Sequence, residues 1–206
     1  MLFIQHELQR TAQNLVADNI KNDEHVLIVS SSDQSKELID AIVSAASSTS
    51  AASVSAIIIA CPEDLNDYKH PPPVIASVKS ADLTIVATTL RFPRAYDDLS
   101  EALFKAGKRQ VLINNAPLED FTRGASLADP IKLNRRTHAL AGKISEGKIV
   151  RVKSENGTDL SVKVCRPCIA LTGRAEIDTG LGLDKTEAML DSILDGLEWR
   201  LRQEVD

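Results

Sequence analysis

A chain of 206 residues, 43% apolar and 26% charged, can bury a core as one domain or as a domain with an appendage. Its net charge of -5 argues against nonspecific nucleic-acid binding, and 3% aromatic residues leave little for base stacking or a carbohydrate platform. No apolar run reaches the roughly 20 residues that span a bilayer, Met1-Leu2-Phe3-Ile4 is too short for a signal-peptide core, and three cysteines in a chain of this size fit a reducing compartment. The expectation is a cytoplasmic protein without membrane or nucleic-acid partners.

Taken in order, Ile4, Leu8, Leu15, Val16 and Ile20 recur at near-helical spacing and predict an amphipathic helix. Val26-Leu27-Ile28-Val29 is a short, continuously apolar strand. Ser30-Ser31-Ser32-Asp33 follows and can cap the next helix, whose buried stripe is Leu38, Ile39, Ile42, Val43 and Ala46. Ser47 to Ser55 is a small-residue tract, Ala56 to Ala60 a second strand, and Pro71-Pro72-Pro73 an extended piece before a short helix over 74–80. Leu83 to Ala87 has no in/out alternation and suits a strand buried on both faces of a parallel sheet. With a helix over 94–106, which points Leu99, Leu103 and Phe104 inward and stops at Gly107, and the strand Val111-Leu112-Ile113, it forms the central β-α-β unit. Pro117 to Phe121 adds a turn of helix, and Asp129-Pro130 opens another helix carrying Ile131, Leu133, Leu140, Ala141 and Ile144.

The pattern then changes. Lys148 to Lys153 and Leu160 to Val164 alternate with period two around Glu155-Asn156-Gly157-Thr158, a tight-hairpin signal. Beyond a stretch rich in glycine and proline, Asp184 caps a last helix with the stripe Leu190, Ile193, Leu194, Leu197 and Leu201. The expected architecture is a Rossmann-like, doubly wound parallel sheet with helices on both faces over 1–147, followed over 148–206 by an antiparallel hairpin and a carboxyl-terminal helix as the start of a second domain. That helix needs a surface to cover, so self-association through it is an expectation.

In doubly wound sheets small ligands collect beyond the carboxyl ends of the strands. Thr88, Thr89 and Arg91 stand there, two hydroxyls and a guanidinium that could hold a carboxylate or another small anion. Ser31 and Ser32, at a strand-to-helix junction, are a second anion or nucleotide candidate, although the junction has no glycine, GxGxxG or Walker pattern. Cys165-Arg166-Pro167-Cys168 has half of a zinc spacing but no second pair of ligands, and it ends a strand rather than opening a helix, so two separate thiols are expected. The four histidines are scattered, Asp97, Asp98 and Glu101 read as a solvated helix face, and no Ser-His-Asp set or HExxH is present.

Leu83-Thr84-Ile85-Val86-Ala87-Thr88-Thr89, Glu101 to Arg109, Asn115 to Gly124 and, most specifically, the Val150-Arg151-Val152 to Gly157-Thr158-Asp159-Leu160 run resemble the amino-terminal half of the aminopeptidase T family of metallo-aminopeptidases. The related dihydroxypyridine dioxygenases share that half. The resemblance spans roughly 26–166 and implies a divalent metal, zinc, cobalt or iron, bound by a following β-rich domain. No residue here matches a family metal ligand, and Arg91-Phe92-Pro93 stands where these proteins often carry a Ser-His pair, so no catalytic residue or cofactor is expected in this chain. The implied function is that of an aminopeptidase T-like, hydrolase-derived binding or oligomerisation module. Two alternatives stay open: a metal-dependent hydrolase or ring-cleaving dioxygenase completed by a partner chain, and a small-anion or nucleotide-binding flavodoxin-like module.

Overall fold

In a computed structural model the residues described are 2–61, 68–89, 98–114, 117–168 and 170. The chain runs α1 (Leu2–Asn19), β1 (His25–Ser31), α2 (Lys36–Ser47), β2 (Ser53–Ile59), α3 (Pro72–Ser80), β3 (Leu83–Thr88), α4 (Asp98–Lys105), β4 (Arg109–Asn114), two short 3-10 turns, α5 (Pro130–Glu146) and the hairpin β5 (Ile149–Lys153) to β6 (Asp159–Lys163). The first four strands form a parallel sheet in the order β2-β1-β3-β4, and the hairpin is a separate antiparallel pair. This is the mixed α/β architecture that the apolar runs imply.

Side-chain alternation across a strand divides the core in two. Val26 and Ile28 of β1 and Leu83, Ile85 and Ala87 of β3 pack under α1 and α2, with Phe121 closing the layer. Leu27, Val29 and Val86 face the other way, against Val74 and Val78 of α3 and Leu99 and Leu103 of α4. Every residue of β3 is therefore buried, which is why its sequence shows no polar alternation.

Short polar links fix the amino ends of the strands. The backbone N–H of His25 donates to Asp82 Oδ2 at 3.0 Å, and Lys108 Nζ donates to Asp82 Oδ1 at 2.9 Å. Arg109, almost fully buried, donates to the Asn19 carbonyl at 2.8 Å and pairs with Glu24. A buried guanidinium is tolerable because a carboxylate and a carbonyl take up its hydrogens.

Several local expectations change. Pro72 and Pro73 lie in the first turn of α3 rather than in an extended piece, since the opening turn of a helix needs no N–H donors there. Ser53 to Ser55 belong to β2, where the parallel ladder to β1 overrides the poor strand propensity of serine. Phe104 is 41% exposed because the inward positions of α4 are taken by Leu99, Ala102 and Leu103; residues 94–97 of its expected helix lie outside the described residues. Asn156-Gly157 does not form a two-residue turn. Gly157 N–H donates to Ser154 O at 3.2 Å, Ser154 N–H to Thr158 O at 3.0 Å, and Gly157 alone takes positive φ (96°), a longer loop with a glycine bulge. α5 buries only Ala141 among its described apolar side chains, leaving Ile131, Leu133 and Leu140 exposed. The carboxyl-terminal helix over 184–201 lies outside the described residues.

Core position predicts stability. Ile85→Ala, in the strand sealed on both faces, should lower unfolding free energy by about 2–5 kcal/mol, whereas Ile58→Ala on the edge strand, 67% exposed, should change it by no more than about 0.5 kcal/mol. Urea unfolding followed by circular dichroism measures both.

Candidate functional site

The connection after β1 runs to α2 on one face of the sheet, and the connection after β3 runs to α4 on the other. This is the switch point beyond whose strand ends parallel sheets form a ligand crevice. Ser31, Ser32 and Asp33 enter it from β1, and Thr89 from β3.

These residues form a hydrogen-bonded clasp. Thr89 N–H donates to Ser31 Oγ at 3.1 Å, the two hydroxyls lie 3.2 Å apart, and Thr89 Oγ1 donates to Asp33 Oδ2 at 2.6 Å. Ser32 turns the other way: its N–H donates to Ile59 O at 2.8 Å, and its Oγ accepts the Cys61 N–H at 3.1 Å. The serine tract therefore ties β1 to both neighbours. The capping role falls to Ser35, whose Oγ accepts the Leu38 N–H at 3.3 Å.

The electrostatics follow from that geometry. The Thr89 hydroxyl, and then that of Ser31, holds the Asp33 carboxyl below its ordinary range. The Cys61 thiol is pushed up, by desolvation first and then by the negative charge and hydrogen bond of Asp33. Cys61 is thus disfavoured as a thiolate nucleophile.

A second cluster sits where α3 and α4 begin. His70 N–H donates to Asp98 Oδ2 at 3.0 Å, and His70 Nδ1 lies 2.6 Å from Asp98 Oδ1. A carboxylate only accepts, so Nδ1 carries the hydrogen. Tyr68 packs edge-on against the His70 ring, 5.2 Å between centroids, and its phenol is pushed up by burial and then by the charges of Asp98 and Cys61. Cys61 and Tyr68 thereby connect the two clusters electrostatically.

Of the candidates drawn from sequence, Ser31 and Thr89 come together, and Ser32 bonds instead to Ile59 and Cys61. Thr88, like Ser31, is buried in the sheet, and Arg91 lies outside the described residues. Asp33, Cys61 and the His70–Asp98 pair were not singled out as a site, and Asp98 is more than a solvated helix face. Nothing local marks that pair: 28 residues separate its members, and only the crossover from β2 to β3 brings them together. Cys165 and Cys168 form no disulfide; Cys168 N–H donates to Ser145 Oγ at 2.7 Å, a structural contact. Among the described residues no three His, Cys, Asp or Glu side chains are placed to hold a metal ion, and no helix is long and apolar enough to cross a membrane.

A parallel sheet in the order β2-β1-β3-β4, with helices on both faces, places the chain in the doubly wound α/β class. The family model "NicX: 2,5-dihydroxypyridine 5,6-dioxygenase" matches residues 7–179, and the chain belongs to that family. Its fold is similar to that of the solved 2,5-dihydroxypyridine dioxygenase from Pseudomonas putida KT2440, at 17% identity and a TM-score of 0.55. That likeness covers 78% of this chain and 48% of the other, so the chain spans about half the length of that relative. A TM-score of 0.35 to the A. aeolicus Argonaute, at 20% identity over 72% of this chain and 24% of that one, is too low to carry an argument. No curated protein matches the sequence significantly. These findings correct the aminopeptidase T resemblance, and with it the metallopeptidase and hydrolase readings: the family is that of the dioxygenases. The residues behind the resemblance are largely scaffold, the central strand and the hairpin turn, and a scaffold does not specify chemistry. Dioxygenases of this family imply a divalent metal, and the described residues do not fit one.

The clasp predicts a pH dependence. Because the folded value of Asp33 is depressed, its contribution to stability is fully present above the ordinary value of 3.8 and is lost as pH falls through the folded value. Thr89→Val should move the Asp33 titration, followed by carboxyl-carbon NMR, back up towards 3.8 and flatten the acid limb of the stability profile.

Proposed function

We propose that this chain supplies the α/β portion of a ring-cleaving dioxygenase acting on hydroxylated pyridines, with the crevice between β1 and β3 as one wall of the ring's binding place. The observation that carries this reading is the family match over 7–179. The crevice chemistry supports it. The Asp33 carboxylate can accept a ring hydroxyl hydrogen, and the Thr89 hydroxyl, which donates to that carboxylate, can accept another beside it. A neutral hydroxylated ring suits this arrangement better than a small anion, which would meet the negative charge of Asp33 and depend on Arg91 to offset it.

Of the metals implied by resemblance, iron is the one we assign, because zinc has no redox change to offer and iron is the usual metal of non-haem oxygenases. The described residues supply no ligand set for it; their part is to hold and orient the ring. Cys61, Cys165 and Cys168 are all outside disulfides, which supports placement in the reducing cytoplasm.

Anaerobic titration of the full chain with 2,5-dihydroxypyridine, followed by amide NMR, tests the reading. Shifts should centre on Ser31, Asp33 and Thr89, and Asp33→Ala should weaken binding by about tenfold or more, the worth of one charge-assisted hydrogen bond. Equal affinity for unsubstituted pyridine, or no response at those amides, would sink it.

A further inference from the structure

Among the described residues the parallel sheet ends at β2, whose outer edge is bare. Ser32 N–H donates to Ile59 O at 2.8 Å, and Ser53 N–H to Glu24 O at 3.4 Å. Ser53, Ser55, Ile57 and Ile59 therefore bond towards β1, and Val54, Ala56 and Ile58 turn their N–H and C=O outward. Sheet edges are ordinarily guarded by a charge, a proline or a bulge. β2 has none of these: no charged residue occurs from 41 to 62 and no proline from 53 to 59, its register to β1 is unbroken, and Ile58 is 67% exposed.

The order of side chains selects the strand that matches this edge. A two-fold axis through Ala56, the midpoint of β2, sets Val54 opposite the partner's Ile58 and Ala56 opposite the partner's Ala56. Every outward residue then meets an outward residue, and each such pair exchanges two hydrogen bonds. β-Branched side chains meet on the face where Val54 packs with the α1–α2 layer, and the smallest side chain sits on the axis. On the other face Ser55 lies opposite the partner's Ile57, beside an open groove of about 670 Å³ between β2 and Ala76, Ser77 and Ser80 of α3, which leaves room for it. Charge favours the same meeting place, because two chains of net charge -5 repel and here neither brings a charged side chain on its strand.

We infer that β2 is a dimerisation edge: two copies of this chain pair their β2 strands antiparallel about Ala56 and join their sheets into one. The contact is a strand of about 23 Å, the scale of a weak, reversible association. Monomers therefore prevail in the dilute solutions used for optical unfolding. Antiparallel pairing sends the carboxyl ends of the two sheets in opposite directions, so neither β1–β3 crevice obstructs the other.

Sedimentation velocity on the full chain, over roughly 1–500 μM, should show a reversible monomer–dimer equilibrium. Ile58→Lys, which adds the guard that the edge lacks, and Ala56→Pro, which removes only an outward N–H, should each weaken association about tenfold or more and leave the circular dichroism unchanged. Ala56→Cys tests the register. Hydrogen-bonded antiparallel pairs hold their Cα atoms about 5.5 Å apart, within disulfide reach, so oxidised glutathione should link two chains through position 56, located by peptide mass mapping. A monomer across the whole range, wild-type association in Ile58→Lys, or links formed only through Cys61, Cys165 or Cys168 would overturn the proposal. If the Lys and Pro variants lose their circular dichroism, the link at position 56 decides: its formation supports the pairing, and its absence refutes it.

Discussion

The constraint on which the rest depends is the burial of β3 on both faces. A strand sealed above by α1 and α2 and below by α3 and α4 can meet solvent only at its ends. Its carboxyl end lies beside that of β1, and the two chains leave for opposite faces of the sheet. The crevice is thus a consequence of connectivity, since right-handed crossovers on either side of β1 force the loops apart. Ser31 and Thr89 do their work because they are the residues at which the two departures occur.

What gathers there is an oriented set of hydrogen-bonding groups rather than a nucleophile. Two hydroxyls hold the Asp33 carboxyl below its ordinary range, and desolvation, with the charge of Asp33 second, pushes the Cys61 thiol up. Tyr68 and the His70–Asp98 pair extend the polar wall towards the starts of α3 and α4. Such a wall can recognise and align a polar ring. The family implies a divalent metal that the described residues do not fit, and the chain spans about half the length of its solved relative.

The architecture was legible where one physical signal dominated. Unbroken apolar runs such as Leu83–Ala87 declare a strand buried on both sides, and Asp129-Pro130 declares a helix start, because each depends only on neighbours in sequence. For the candidate site, the placement rule singles out Thr88, Thr89 and Arg91 from the strand end, and the strand-to-helix junction singles out Ser31 and Ser32. Asp33 was read as a cap, because its partner Thr89 is 56 residues away. Pairings set by strand order have no local trace, as His70 and Asp98 show. The family was not legible in any one motif, since the residues behind the resemblance build the scaffold rather than a reacting site.

The links among Asp82, His25 and Lys108, and the buried Arg109 with Glu24 and Asn19, lie at the end of the sheet remote from the crevice. Strand alignment is therefore anchored without help from the residues that meet a ligand. Insertions or replacements in the loops after β2 and β3 can accumulate with little penalty to folding. A sheet whose rigidity is concentrated at one pole leaves the chemistry at the opposite pole free to change without rebuilding the frame.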